Sequence, residues 1–355
     1  MRRIVHFICA ALAALGALML VAVAGLLISF TLPVEGWRTG EPPAPPLALA
    51  PGETFAAAPA RVWIDTDAAC GGGRRTDPDD CFAILLLAQA DGVEIVGVST
   101  VFGNATLSVT DRTTRALMAE LEASGLASAP VYRGSSHPTN DGARSGASPA
   151  HEMLRAALEK GPLTIVALGP MTNLALALQG RPDLRAKVIR IVSVMGRRQG
   201  HLFHPVEGGT ARSLLGHGPV FRDFNFVQDE DAATAILSMG LPLTLVPYEA
   251  ARDVMIGGAV LNGMAARGGP WAWVAQRSRA WVDYWREDIG RDGFYPFDLL
   301  AAAYVVQPSL LRCADVTVAV GNDTGLLGWL GFRGLFVTLV EQPASEPIAT
   351  ADALY

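Results

Sequence analysis

Short runs rich in β-branched residues recur along this chain with helix-type patterns between them, and that alternation restricts the fold more than any other feature. Arg61-Val62-Trp63-Ile64, Ile95–Val98, Leu163–Ala167, Ile189–Val194 and Leu243–Val246 have the length and composition of strands buried on both faces. Asp80–Ala90, Thr110–Glu122, His151–Leu158, Thr172–Gln179 and Asp231–Met239 carry helical patterns. Strand and helix alternating at this spacing imply βαβ units, so the expected class is α/β with a mostly parallel sheet and helices on both faces. Ligands of such sheets bind outside the carboxyl ends of the strands. Polar residues just after each apolar run therefore carry the most information.

Asp65-Thr66-Asp67 closes the first run, Phe102-Gly103-Asn104 follows the second, Gly169-Pro170-Met171-Thr172-Asn173 follows Leu163–Ala167, and Met195-Gly196 follows Ile189–Val194. The set is acidic and amide-rich, with no lysine nearby. Asp79 and Asp80 alone would pass for first-turn residues that favour a helix dipole. An Asp-x-Asp at a strand end together with an Asp-Asp pair at the next helix start is different, because crowded carboxylates repel unless a cation neutralises them. Oxygen-only donors select hard ions such as calcium or magnesium, while leaving the reaction open. Gly71-Gly72-Gly73 is followed by no Gly-Lys-Ser/Thr, so it is not a phosphate loop. With 28 basic against 34 acidic side chains and a net charge of −6, the chain lacks the electrostatic footprint of a nucleic-acid binder.

The N-terminal segment, residues 1–32, reads as one transmembrane helix. Arg2 and Arg3 precede an uncharged, almost wholly apolar stretch that is long enough to span a bilayer, and the positive-inside rule puts the N-terminus in the cytoplasm. The rest is then extracytoplasmic on a single-pass anchor, or secreted or periplasmic if Ala22-Val23-Ala24 serves as a signal cleavage site. Residues 33–60, with Glu41-Pro42-Pro43-Ala44-Pro45-Pro46, read as a Pro/Ala-rich linker. Residues 61–355 are left as the globular domain.

Ile64-Asp65-Thr66-Asp67, Asp79-Asp80-Cys81-Phe82-Ala83, Gly97-Val98-Ser99-Thr100-Val101-Phe102-Gly103-Asn104, Pro130-Val131-Tyr132-Arg133-Gly134, Ala167-Leu168-Gly169-Pro170-Met171-Thr172-Asn173, Asp223-Phe224-Asn225 and Pro296-Phe297-Asp298 occur in that order. As an ordered set they resemble the inosine–uridine-preferring nucleoside hydrolases. The resemblance implies a Rossmann-like open sheet and a glycosidase that converts a ribonucleoside and water into ribose and base. It implies a calcium ion held by Asp67, Asp80, the backbone carbonyl of Thr172 and Asp298, with Asp67 also the general base. It places Asp79, Asn104, Met195, Asp223 and Asn225 around the ribose, and it suggests a homo-oligomer. A non-hydrolytic nucleoside- or ribose-binding protein on the same scaffold is the alternative. An aspartyl-phosphate hydrolase built on Asp65 lacks a lysine in matching context.

The chain departs from the family pattern in three places. Asp67 and Asp80 are separated by an insertion, Ala68 to Thr76, with Asp77 a substitute ligand. Phe297 stands where a histidine often protonates the departing base, leaving Tyr295, His201, His204 and His217 as replacements. Arg197–Arg222 is longer than usual and reads as a lid or a solvated insertion. Cys70 and Cys81 flank the carboxylate-loop insertion, and an extracytoplasmic location permits a disulfide between them. Trp271, Trp273, Trp281 and Trp285 either wall a base pocket or pack against the sheet or a partner subunit.

Overall fold

The computed structural model of the protein describes residues 12–24, 59–142, 146–198, 223–251, 254–322, 331, 333–339 and 348–354. Residues 12–24 form α1, whose apolar side chains are exposed. Among the described residues no helix is long and apolar enough to cross a membrane. The remainder of the expected spanning segment, and nearly all of the linker, lie outside the described residues.

β1 (Ala60–Thr66) sends Val62 and Ile64 into one apolar cluster and Trp63 into another, so both of its faces need a cover of helices. On the Val62 side lie α2 (Asp79–Gln89), α3 (Leu107–Ala123), α11 (Gly269–Tyr284) and α12 (Phe297–Val306). On the Trp63 side lie α4 (Pro149–Lys160), α5 (Thr172–Leu178) and α8 (Glu230–Leu237). The lesser helices are α6 (Pro182–Arg185), α7 (Phe224–Gln228), α9 (Tyr248–Ala251) and α10 (Gly258–Arg267), and a π-helical turn, Trp285–Ile289, extends α11.

β2 (Val93–Thr100) and β3 (Val131–Arg133) extend the sheet in parallel from one edge of β1. β4 (Leu163–Ala167), β5 (Val188–Val194) and β7 (Leu243–Val246) extend it in parallel from the other. The expected parallel core is thus present. β8 (Leu311–Asn322), β9 (Arg333–Leu339) and β10 (Ile348–Leu354) add an antiparallel wing, in which β10 lies between β7 and β8, and β6 (Arg197–Arg198) pairs with β9 at the edge. The chain runs outward through β2 and β3 and returns to β4 on the opposite side of β1. That reversal opens a crevice at the carboxyl ends of β1 and β4.

Candidate active site

Asp67 enters the crevice directly after β1. Its Oδ2 accepts from the backbone N–H of Asn104 at 2.7 Å, which ties the end of β1 to the turn after β2. Gly103 makes this approach possible: its φ is +152°, and a Cβ there would overlap Asp67 Oδ2.

Asp79 and Asp80 open α2, and Asp298 sits in the first turn of α12, which packs on α2. Each of the three offers an oxygen within 4.8 Å of the others. The Asp298 N–H donates to Asp79 Oδ2 at 3.1 Å, and the Thr66 hydroxyl donates to Asp80 Oδ1 in a short hydrogen bond. All four carboxylates, Asp67 included, are buried. Burial, then the charge of Asp80, drives the Asp67 carboxyl well above its ordinary range. Burial and Asp79 push Asp80 up to about 7, and burial with the Asp79 and Asp80 charges raises Asp298. Among the described residues no lysine or arginine ion-pairs with any of the four. A buried, uncompensated, oxygen-only group of this kind fits a hard cation.

Asp67, Asp79, Asp80, Asn104, Met195, Asp223, Asn225 and Asp298 all line one pocket. Thr172 does not: it is fully buried at the start of α5, and its hydroxyl donates to Asp229 Oδ2 at 2.6 Å. Asn104, expected at the ribose, lines the pocket and hydrogen-bonds the backbone of Asp77 just after the insertion, donating to its carbonyl at 2.7 Å and accepting from its N–H at 3.1 Å. Asp77 lines the pocket beside Asp79, whose N–H it accepts at 3.2 Å, and stands outside the three-carboxylate group. Asp223 caps α7 through the Phe226 N–H and also accepts from the Gly196 N–H at 2.5 Å. Asn225 Nδ2 is held by the carbonyls of Leu168 at 2.8 Å and Val194 at 2.9 Å, which orients the side chain at the pocket edge.

Cys70 and Cys81 form a disulfide that closes the insertion onto α2. Trp281 and Trp285 wall the pocket together with Tyr248 and Phe297, whereas Trp271 and Trp273 lie under the guanidinium groups of Arg267 and Arg277 at 4.2 and 3.8 Å. Trp281 and Trp285 thus take the pocket role, while Trp271 and Trp273 stand partly buried against the apolar core on the Val62 side of the sheet. Tyr295 is buried edge-on against Trp285 and Phe297. His201, His204, His217 and the long segment around them lie outside the described residues.

Asp65 is fully buried, accepts from Asn173 Nδ2 at 2.7 Å and from the Ser99 hydroxyl, and does not line the pocket. Burial pushes its carboxyl up to about 7 against those hydrogen bonds. It is a strut between β1, β2 and α5, which removes the aspartyl-phosphate reading. Sequence reasoning missed Arg75 and Tyr248 as lining residues, and Asp229, which gathers Thr139, Thr172 and the Ala232 N–H. Asp229 lies just before a helical pattern, and the N-cap position it occupies was the available signal.

Residues 62–336 match the family described as inosine-uridine preferring nucleoside hydrolase. The chain is 29% identical over 294 residues to uridine nucleosidase 1 of Arabidopsis thaliana, covering 72% of this chain and 82% of that protein. It is 26% identical over 305 residues to the non-specific ribonucleoside hydrolase RihC of Salmonella enteritidis PT4, covering 78% and 91% respectively. The purine-preferring ribonucleoside hydrolase from Gardnerella vaginalis shares the fold, with a TM-score of 0.65 at 18% identity over 83% of this chain and 93% of that one.

Proposed function

The chain belongs to the inosine-uridine preferring nucleoside hydrolase family, and from that premise we propose calcium-dependent hydrolysis of ribonucleosides to ribose and free base, with water activated by Asp67. Its enzyme class is N-ribosyl hydrolase, a glycosidase. The observation that carries the finer reading is the group of buried carboxylates at the heads of α2 and α12, gathered beside Asp67 with no cationic side chain among the described residues paired to them.

Asp67, Asp80, Asp298 and the Thr172 carbonyl would hold the ion, with Asp79 beside them. A bound hard dication supplies charge that lowers the pKa of nearby water and orients ribose hydroxyls. Asp67, fixed through Oδ2 by the Asn104 N–H, takes the proton of the attacking water on its carboxylate. The enclosed negative charge of the group stabilises the oxocarbenium character that develops at the anomeric carbon. Asn225 and Asp223, each pinned by backbone groups, meet the sugar with little reorganisation. Trp281, Trp285, Tyr248 and Phe297 offer flat apolar faces on which a base can lie.

The N-terminal segment is proposed as a single-pass anchor with the catalytic domain outside the cytoplasm. Arg2 and Arg3 before the apolar stretch support that orientation, and the Cys70–Cys81 disulfide suits an oxidising compartment.

The test is ribose release from a nucleoside panel by the full-length chain with calcium, with chelator, and after Asp67→Asn. Chelation should abolish release and calcium restore it, while Asp67→Asn should lower kcat by about 1,000-fold, within the usual range for a general base. Binding of nucleosides with calcium but no turnover would replace this reading with that of a binding protein. In sealed right-side-out vesicles, activity on external nucleoside that appears only after lysis would overturn the orientation.

A further inference from the structure

The insertion between β1 and α2 brings a cation to a pocket otherwise lined by carboxylates, amides, aromatic rings and aliphatic side chains. Arg75 lines that pocket, is exposed to solvent, and holds its guanidinium 5.3 Å over the ring of Tyr284. Among the described residues no carboxylate pairs with it. Its neighbour Arg74 is engaged, bound to Glu287 at 2.5 Å and Asp288 at 2.7 Å, which moors the insertion to the π-helical turn after α11. Tyr284 in turn packs on Trp281 with ring centres 5.2 Å apart, and Trp281 on Trp285 at 6.3 Å. The unpaired guanidinium thus stands at the aromatic wall, where a flat leaving group would lie. Phe297 has no proton to give, and the indole N–H groups of Trp281 and Trp285 can donate a hydrogen bond but are too weakly acidic to transfer a proton, so Arg75 is the one charged donor at that wall among the described lining residues.

We propose that Arg75 is the leaving-group residue of this enzyme: it binds the departing base and stabilises the negative charge that develops on it. The inference rests on the hydrolase reading above. In the step, the water oxygen bonds to the anomeric carbon while the carbon–nitrogen bond breaks, and the water proton passes to Asp67. The bonding pair goes to the base nitrogen, and the base anion beside the guanidinium then takes a proton from solvent. Arginine suits this role because it holds its own proton too tightly to act as an acid, yet offers several donors in one plane and a face that stacks on rings.

The test compares inosine and uridine with p-nitrophenyl β-D-riboside, whose nitrophenolate departs without help, using the full-length chain, Arg75→Ala and Arg75→Lys. Arg75→Ala should lower kcat on the nucleosides by about 10-fold, below the usual effect of an enclosed donor because Arg75 is solvent-exposed. It should leave the nitrophenyl riboside within about twofold, which also reports an intact fold. Arg75→Lys should recover part of the nucleoside rate. Equal losses on both substrate types, or no loss on either, would overturn the assignment. If the unchanged chain cleaves neither substrate, the hydrolase reading itself fails, a result distinct from one in which chain and variant act alike.

Discussion

The pocket has a floor and a wall, and they are made in different ways. The floor consists of Asp67, Asp79, Asp80 and Asp298, buried at strand and helix ends and braced by backbone N–H groups and by Thr66. The wall consists of Trp281, Trp285, Tyr248 and Phe297, packed ring against ring. A floor built on hydrogen bonds and charge fixes where a reacting atom sits and tolerates little displacement. A wall built on apolar contact fixes what kind of surface is accepted and can repack. On the proposed reading, chemistry is set by the floor, and leaving-group preference by the wall together with the insertion moored to it.

The largest effect should come from moving the floor without touching a carboxylate. Gly103→Ala places a Cβ on Asp67 Oδ2 at a φ of +152°, so Asp67 has to turn away from the Asn104 N–H. Turnover should fall by about 100-fold or more while the protein still folds, as judged by circular dichroism and a cooperative melt. Near-normal kcat in this variant would break the claim that the floor is geometrically exacting.

Next in size is the tie between floor and insertion. Replacing both Cys70 and Cys81 by Ser opens the disulfide across 11 positions of sequence, and the expected loss is about 2–3 kcal/mol of folding stability, read from denaturant unfolding. The nucleoside rate should fall more than the rate on nitrophenyl riboside, because the loosened loop carries Arg75 whereas Asp80 is still held by Thr66 and the start of α2. Equal falls on both substrates would assign the bridge to the floor.

The floor was legible in the sequence because its parts are local. Asp65-Thr66-Asp67 ends a strand-like run and Asp79-Asp80 opens a helical one, so the strand-end rule brings them together without knowledge of the rest of the fold. Asp298 lies 219 residues from Asp79 and came only from a family resemblance. The parallel core was legible for the same reason as the floor, through runs buried on both faces. The antiparallel wing was not, since β10, nearly at the end of the chain, pairs with β7 on one side and β8 on the other, a long-range choice with no local signal. Asn104 was placed at the pocket by its strand-end position and does line it, but its two hydrogen bonds to the backbone of Asp77, just after the insertion, were not readable, because an insertion's hydrogen-bond needs are not written in its composition. Arg75 was unreadable because its significance depends on Tyr284, 209 positions away in a different element.

The smallest effect should come from the wall itself. Trp281→Phe keeps an aromatic ring within reach of Tyr284 and Trp285 but removes part of the flat surface that faces the pocket. A single aromatic contact contributes roughly 1 kcal/mol beyond simple burial, which corresponds to a rise of about fivefold in KM for nucleosides. If the carboxylates hold the proposed ion, the calcium concentration needed for half-maximal rate should not move, because Trp281 lies in α11 and the only covalent link between wall and floor is Phe297, the neighbour of Asp298 in the first turn of α12. A shift in calcium dependence with Trp281→Phe would mean that wall and floor are one mechanical unit joined through α12. A change confined to KM would keep them separable, with the wall free to vary in base preference while the floor keeps the reaction.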